Sequence, residues 1–291
     1  MPLRRLVFGL ATLLGFAKRG FFLPYRYAGD IAAPGLRAPY AAIEALMRSR
    51  AAFFEEQLDR IERHARALEA IGKDAPPAPR WTQDWFPRLD AAVAYALVRD
   101  LAPKKIVEIG SGHSTRFMAR AVADGGLTTE LVAVDPVPRA AIRGLPLRFW
   151  QTTLDGAPAE IFAAIAPGDM LFVDSSHILM PGSDVDTVFN RLMPGLPAGA
   201  LIHVHDIFLP EDYPAHWDWR GYNEQNALAS LIQSGGYEVL FASRYVATRM
   251  AERLVRGVLA RLPLVEGALE TSLWLRKLVP AAPQASGPIK T

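Results

Sequence analysis

The sequence predicts a doubly wound, mostly parallel α/β sheet preceded by a helical extension. After residue 80, apolar runs of strand length alternate with segments of helical periodicity, which is the pattern of parallel strands joined by crossover helices. Several of these strands end in polar residues, and one runs into a glycine turn. Because ligands bind at the carboxyl ends of strands in such sheets, these strand ends predict a binding site.

The composition bounds the possible functions. The chain has 291 residues, of which 51% are hydrophobic, enough for one large domain and an extension. Its net charge is +2, with acids and bases interspersed, so no basic face for nucleic acid is expected. The absence of cysteine excludes disulfides and thiolate chemistry, and we take the reducing cytoplasm as the default compartment.

The N-terminal stretch is apolar and has basic flanks. Residues 6–17 are too few to span a membrane, and Lys18-Arg19 stands where a signal peptide would have small cleavage-site residues. We expect a helix packed on the body of the protein. The alternative is a basic amphipathic helix over residues 3–19 in peripheral contact with a membrane surface.

We predict a long helix over residues 41–72, which Gly72 ends. Its apolar positions alternate in steps of four and three, as in a coiled coil, and most other positions are charged. We predict that this apolar seam is buried against another helix, in the same chain or in a second copy that would make the protein a homo-oligomer. The seam consists of Met47, Ala51, Phe54, Leu58, Ile61, Ala65 and Leu68.

The rest of the chain divides into strands and helices at the changes of period. Residues 75–79 form a linker, so we expect a helical extension over 1–80, a domain over 81–279 and a flexible tail over 280–291. The last strand alternates in polarity and is expected at or near an edge. Strands are predicted at 106–109, 131–135, 147–152, 170–174, 200–206, 238–242 and 272–276, and helices at 89–101, 114–124, 157–165, 185–192, 224–233 and 249–261.

The glycine turn follows the first strand. Gly110 and Gly112 allow a tight turn and a close ligand approach, and Ser114 or Thr115 can cap the next helix. A glycine pair after a strand is also compatible with an ordinary turn. A dinucleotide fingerprint needs a third glycine where Thr115 stands, and Glu108 is better placed for a cationic ligand than for an anionic pyrophosphate.

Four motifs, in this order, resemble class I S-adenosylmethionine (SAM)-dependent methyltransferases. The nearest group is the bacterial methyltransferase 24 family, similar to cephalosporin-hydroxylase-like enzymes. The resemblance covers roughly residues 81–279 and implies a Rossmann-like sheet of seven strands, the last one antiparallel and beside the sixth. The motifs are Glu108–Thr115, Val134-Asp135, Phe172–His177 and His203–Phe208, supported by 85–87, 223–225 and 272–276.

The resemblance also assigns cofactor roles. Glu108 would help to hold the ammonium of SAM, Asp135 the ribose hydroxyls, and the segment from Gln151 to Thr153 would border the adenine. Asp174 is expected at the same cleft. The glycine turn that passes the methionine part of the cofactor consists of Gly110, Ser111, Gly112 and Ser114.

Asp174, His205 and Asp206 end two strands that should be neighbours. Two carboxylates with an imidazole suit a divalent cation. Related catechol-type O-methyltransferases bind magnesium with an acid after strand four and a pair after strand five, and here the histidine fits manganese, iron or zinc better. The alternative is that Asp174 positions substrate and His205 acts as a base without metal.

Five of the six histidines fall in the motifs or the loop that follows them. His177 and His203 have two interpretations each: His177 orders Asp174, and His203 is a buried strand residue, or either is the general base. We take His205, His177 and Asp174 as the catalytic candidates. Tyr213, Trp217 and Trp219 either pack as core or cover an organic substrate.

Together these features predict a SAM-dependent methyltransferase, with metal-assisted O-methylation of a small-molecule or sugar-like hydroxyl. One alternative is a protein of the same fold that binds without methyl transfer or acts as a hydroxylase-like enzyme. Another is an NAD-dependent oxidoreductase, against which Glu108 and Thr115 argue.

Overall fold

The structure is a computed structural model that describes residues 3–282. A seven-stranded sheet lies at its centre, and the strands are short and largely buried. In chain order they are β1 (Lys105–Ile109), β2 (Glu130–Val134), β3 (Arg148–Trp150), β4 (Met170–Val173), β5 (Leu201–Val204), β6 (Tyr237–Ala242) and β7 (Leu273–Lys277).

The strand order is β3-β2-β1-β4-β5-β7-β6. Strands β1 to β5 are parallel to one another, and β7 runs antiparallel to both β5 and β6. The predicted fold is therefore confirmed, including the antiparallel last strand beside the sixth. The edge strand on that side is β6, so β7 lies one strand in.

Helices cover the sheet and precede it. The predicted helix over 157–165 is shorter than expected, and the one over 185–192 is longer, because a π-helical segment (Val188–Leu192) joins two α-helical turns. The helices are α1 (Leu3–Leu13), α2 (Ala41–Ser49), α3 (Ala51–Arg63), α4 (Ala65–Ala70), α5 (Arg88–Leu101), α6 (His113–Gly125), α7 (Glu160–Ala163), α8 (Asp184–Thr187), α9 (Met193–Gly195), α10 (Glu224–Gln233), α11 (Ser243–Arg249), α12 (Ala251–Leu254) and α13 (Gly257–Arg261).

The single helix predicted over 249–261 is wrong. The segment is broken into the end of α11, then α12 and α13. Gly257 is the first residue of α13 and has φ +58°, and a Cβ there would overlap the Glu62 carboxylate. That carboxylate accepts the Val258 N–H at 2.7 Å, so a contact with the extension determines the break.

The apolar seam of residues 41–72 is buried in the same chain, which confirms that part of the prediction. The single long helix predicted there is wrong, because the segment forms three helices, α2 to α4, with breaks at Arg50 and His64. Helix α3 contacts α5, β6 and α13, and the seam belongs to the same apolar core as the sheet. Met47, Phe54, Ile61 and Leu68 are 0% exposed, and Leu58 is 3% exposed.

Helix α1 is different, since it has no buried residue. The expectation that it packs on the body of the protein is wrong. No helix among residues 3–282 is long and apolar enough to cross a membrane. Most of the predicted tail, residues 283–291, lies outside the described residues.

Candidate active site

The glycine turn fixes the meeting point of three strands. Gly110 has φ +81°, and a Cβ there would overlap the backbone carbonyl of Asp174. The Gly110 N–H donates to Val134 O at 2.9 Å, and the Asp174 N–H donates to Ile109 O at 2.9 Å. Glycine is therefore required here, both for the backbone angle and for the approach of the β4 end to the turn.

A cleft of about 460 Å³ opens at the carboxyl ends of β1, β2 and β4. Its volume lies in the range of small-molecule sites. Four of the lining side chains are acids and one, Arg139, is a base, so the cleft favours a cationic ligand over an anionic one. The lining acids are Asp135, Asp155, Asp174 and Asp184, and the turn contributes Gly110 and Ser111.

Asp135 lies on this cleft as the sequence predicted. Its Oδ2 accepts two hydrogen bonds from Ser111, one from the backbone N–H at 2.6 Å and one from the side-chain hydroxyl at 3.1 Å. Its Oδ1 accepts the Val137 N–H at 2.7 Å. A carboxylate has about four acceptor positions, so Asp135 can orient the turn and still accept a ligand hydroxyl.

Glu108 has a different environment. Its side chain is 0% exposed, and its two oxygens accept the hydroxyls of Ser114 at 2.5 Å and Thr115 at 2.6 Å. Burial raises the pKa of Glu108 to about 8, although the two hydroxyls oppose the shift. Glu108, Gly112, Ser114 and Gln151 were all expected at the cofactor, but they are not among the residues that line the cleft. The neighbours of Gln151 that do line it are Thr152 and Thr153.

Asp174 joins the cleft to a second group of residues. Its side chain is 30% exposed, and its Oδ1 lies 3.3 Å from His177 Nε2 and 3.8 Å from His205 Nδ1. Asp206 lies 3.5 Å from each imidazole, through Oδ2 to His177 and Oδ1 to His205. The structure thus brings together the three predicted catalytic residues and the three predicted metal ligands. We call these four side chains the histidine–aspartate cluster.

In each imidazole of this cluster, the ring nitrogen that faces away from Asp174 and Asp206 contacts a fully buried carboxylate. His177 Nδ1 contacts Glu224 Oε1, and His205 Nε2 lies 3.3 Å from Asp90 Oδ2. Asp90 also accepts the N–H groups of Thr271 at 2.9 Å and Ser272 at 3.0 Å. Both rings therefore direct their other nitrogen toward Asp174 and Asp206.

The charges of the cluster compensate each other. Burial lowers the pKa of His177, but Glu224, Asp174 and Asp206 raise it well above its ordinary value. The same balance, with Asp206 and Asp174 as the opposing acids, raises the pKa of His205. Burial raises the pKa of Asp174, yet His205 and His177 hold it well below its ordinary range. Without another cation, the imidazolium charges stabilise the carboxylates.

The backbone is strained at the same place. His177 has φ +62° and Asp206 has φ +57°. Residues other than glycine rarely adopt this backbone conformation. Such residues cost about 1–3 kcal/mol each and persist where the surroundings fix them. Because strain of this kind occurs often at functional sites, its location in the cluster supports a functional role there.

His203 is a buried strand residue, which confirms the structural interpretation of that histidine. It is 0% exposed, its Nε2 lies 2.8 Å from Ser272 Oγ, and its ring stacks on Phe172 with centroids 3.6 Å apart. Burial lowers its pKa well below the ordinary value, so the ring is neutral.

The loop after β5 carries several aromatic side chains, and one of them contacts His177. Tyr222 lies 4.4 Å from the His177 ring, and Tyr213 is 7% exposed and packs against Phe208. Trp219 is 47% exposed. Tyr213 therefore packs in the core, whereas the exposed Trp219 side chain is accessible to a ligand.

The donor types of the cluster suit a divalent cation, because carboxylates and imidazoles both ligate such ions and a carboxylate behind each imidazole is the usual outer partner. Ligands about 2.1 Å from a metal lie roughly 3.0–3.4 Å apart. The contacts of His205 Nδ1 with Asp206 and Asp174, at 3.5 and 3.8 Å, are slightly wider. Among residues 3–282, no group of three or more histidine, aspartate or glutamate side chains is arranged so that it could hold a metal ion.

The comparison with family models adds one finding. Residues 107–207 match the model of a methyltransferase domain. The match starts in β1, ends just after the His205-Asp206 pair and so spans both halves of the site. A search of the curated proteins found no match.

Solved structures with a similar fold include three enzymes. The branched-chain polyamine synthase of Thermus thermophilus is 18% identical, with 79% of this chain and 67% of that chain covered and a TM-score of 0.45. An SAH-bound methyltransferase of Podospora anserina is 18% identical, with 89% and 99% covered and a TM-score of 0.42. An O-methyltransferase of Bacillus cereus in complex with SAH is 15% identical, with 63% and 82% covered and a TM-score of 0.33.

Asp90 and Glu224 were not among the predicted site residues, although residues 223–225 supported the resemblance. Asp90 is the one acid in the otherwise apolar stretch from Leu89 to Val98, and a buried acid in such a stretch needs a partner. Glu224 opens α10, a position where an acid is common at a helix start. Of these two features, only the acid in an apolar stretch, Asp90, was distinctive enough to point to the site.

Proposed function

We propose that this protein is a cytoplasmic SAM-dependent methyltransferase that methylates a hydroxyl of a small organic molecule, with assistance from a divalent cation. The observation that carries the proposal is the position of Asp174. It lines the acidic cleft and also contacts both imidazoles of the histidine–aspartate cluster. A methyl donor in the cleft and an acceptor at the histidine–aspartate cluster would therefore lie next to each other, on either side of the Asp174 carboxylate.

The cleft fits SAM better than a dinucleotide. SAM carries a sulfonium and an ammonium, and four acids with one base line the cleft. A pyrophosphate at the same position would be repelled. Asp135 would accept the ribose hydroxyls, and the backbone from Gly110 to Ser111 would lie along the methionine part. Glu108 supports the turn through Ser114 and Thr115, and because burial raises its pKa to about 8, it would be mostly neutral near neutral pH and would not attract the ammonium.

The reaction is an in-line displacement. The acceptor oxygen bonds to the methyl carbon as the carbon–sulfur bond breaks, and the hydroxyl proton leaves to a base. His177 would accept this proton at Nε2, because Glu224 fixes its Nδ1 and Nε2 points toward Asp174 and Asp206. A positioned imidazole that takes up a proton typically contributes about 10²–10⁴-fold to the rate.

Asp174, Asp206 and His205 would hold the cation. What the ion supplies when bound is positive charge that lowers the pKa of the acceptor hydroxyl. It would also compensate the two carboxylates, which leaves His177 neutral and able to accept a proton. Asp90 would keep His205 Nδ1 directed at the ion through its contact with Nε2.

Two experiments test the proposal. Isothermal titration should show binding of SAM and no binding of NAD, and a labelled methyl donor with a metabolite extract should yield a labelled product and S-adenosylhomocysteine. Binding of NAD would favour the oxidoreductase instead. SAM binding without any S-adenosylhomocysteine would favour a protein of this fold that does not transfer methyl groups.

A further inference from the structure

The N-terminal arm, residues 3–30, is the part of the described chain with apolar side chains but no core. None of its residues is buried. In α1, Leu3, Leu6, Val7 and Leu10 follow the spacing of one helix face, and they are 75%, 48%, 53% and 48% exposed. Continuous exposed apolar surface of this kind indicates a partner.

Aromatic residues extend this surface beyond α1. Phe16, Phe22 and Leu23 are 81%, 65% and 64% exposed, and Tyr25 and Tyr27 are 58% and 53% exposed. Phenylalanine and tyrosine next to basic residues are typical of segments at the boundary between lipid headgroups and acyl chains. The arm therefore carries an apolar surface with aromatic residues along its whole length.

The arm carries five basic residues and one acid. Its basic residues are Arg4, Arg5, Lys18, Arg19 and Arg26, and its first acid is Asp30. A second copy of the arm would bring the same positive charge to the interface, which opposes self-association. An anionic bilayer surface offers both the apolar layer and the opposite charge.

The length of α1 fits a helix that lies on a membrane. Its 11 residues extend about 16 Å at 1.5 Å per residue, half of a hydrocarbon core of about 30 Å. Such a helix can bury one apolar face at the interface but cannot cross.

The segment that directly follows the arm is attached to the loop that borders the candidate active site. Arg37 Nε donates to Asp212 at 2.8 Å, and the Tyr40 N–H donates to Pro210 O at 2.9 Å. This loop follows Asp206 and leads to Tyr222, which contacts His177. A docked arm would hold the acceptor side of the site close to the bilayer.

We propose that residues 3–30 dock this protein on an anionic lipid bilayer by insertion of the apolar α1 face and attraction of the arginine and lysine side chains to the headgroups. The docking is independent of the reaction proposed above. It holds for the full chain with or without a bound cofactor.

Co-sedimentation of the full chain with vesicles tests the docking. The protein should bind vesicles made of equal parts phosphatidylcholine and phosphatidylglycerol much more tightly than phosphatidylcholine alone, and high salt should release it. Arg4→Glu with Arg5→Glu should weaken binding by at least about thirtyfold, since each basic residue near the surface contributes roughly a factor of five. Arg66→Glu, at an exposed residue outside the arm, is the matched control and should bind as the wild type does.

A second pair of variants tests the apolar face. Leu6→Glu with Leu10→Glu should abolish vesicle binding, whereas Val255→Glu, at a residue 73% exposed elsewhere, should not. Because all these side chains are exposed, the melting temperature should stay unchanged. Absence of wild-type binding to both vesicle types would overturn the proposal. So would a wild-type dimer in light scattering that Leu6→Glu with Leu10→Glu dissolves, because the face would then be a protein interface.

Discussion

The edge of the sheet at the carboxyl ends of its strands has two halves, β1–β2 and β4–β5, and both contain acids. The two halves stabilise these acids with different partners. On the β1–β2 half, Glu108 accepts two hydroxyls and Asp135 accepts backbone N–H groups and a hydroxyl. On the β4–β5 half, Asp174 and Asp206 face the imidazoles of His177 and His205. The donors of the first half are neutral and bring no positive charge, whereas ionised partners balance the second half.

Under the proposed function, this difference separates a binding half from a reacting half. The donors around Asp135 are neutral, so no positive charge of the protein would compete with a cationic ligand there. Acids held by imidazoles form a network in which protons or a cation can be exchanged. The two halves share Asp174, and variants on either side of it should affect different measurements.

The largest effect is expected from removal of the cation. EDTA should abolish methyl transfer, and a divalent ion should restore it, if Asp174, His205 and Asp206 hold the cation as proposed. Asp206→Asn should lose metal in elemental analysis and still bind SAM, since Asp206 is not among the residues that line the cleft. Full activity of enzyme shown to be metal-free would leave His205 as a base that acts without metal.

Substitution of the proton acceptor should come next. His177→Gln should slow transfer by about 10²–10⁴-fold without a change in SAM affinity, because the ring contacts the cluster and Glu224. His216→Gln, at an exposed histidine of the neighbouring loop, is the control and should retain full rate. Equal rates in the two variants would assign the proton to another group.

A smaller effect is expected on the binding half. Asp135→Ala should weaken SAM binding by roughly tenfold or more, the value of a lost charge-assisted hydrogen bond of about 1.5–3 kcal/mol. Calorimetry measures the affinity, and Asp155→Ala tests whether any acid of the cleft has the same effect. Unchanged affinity in Asp135→Ala would remove Asp135 from the ribose site.

The last prediction concerns the pH dependence of stability and Glu108. Its pKa in the folded chain is about 8, above the ordinary value of 4.5, so the folded state keeps a proton that the unfolded chain releases. Stability is therefore lost as pH rises from about 4.5 to about 8, with no further change above that. Glu108→Gln should flatten this part of the melting-temperature profile.

Glu130→Gln is the control for that profile. Hydrogen bonds from Arg148 and Lys105 lower the pKa of Glu130, so its contribution is lost as pH falls, and its removal should leave the slope toward pH 8 intact. Parallel profiles of the wild type and Glu108→Gln would mean that Glu108 is ionised at neutral pH.

The sequence predicted what depends on local pattern. Alternation of strands and helices was enough for the sheet, and acids at strand ends were enough to place Asp135, Asp174, His205 and Asp206 at one edge. It could not show that the Glu108 carboxylate turns toward Ser114 and Thr115, because the direction of a side chain depends on packing.

Apolar periodicity had the same limit. It predicted a face for both α1 and the seam of residues 41–72, but not whether anything covers that face. The seam is covered by elements as far along the chain as α13, whereas α1 has no buried residue. The partners of Asp90 were equally beyond local pattern, because Thr271 and Ser272 are 181 and 182 residues away.

The burial of the seam has a consequence for biosynthesis. Glu62 and the Val258 N–H that it accepts are separated by 196 residues. At roughly 5–20 residues per second, the ribosome needs about 10–40 s to make the intervening chain. During that time Phe54, Leu58 and Ile61 lack β6 and α13, so the nascent chain presents a long apolar stripe that invites aggregation. Chaperone capacity and translation speed should therefore control the yield of folded protein more than the final stability does.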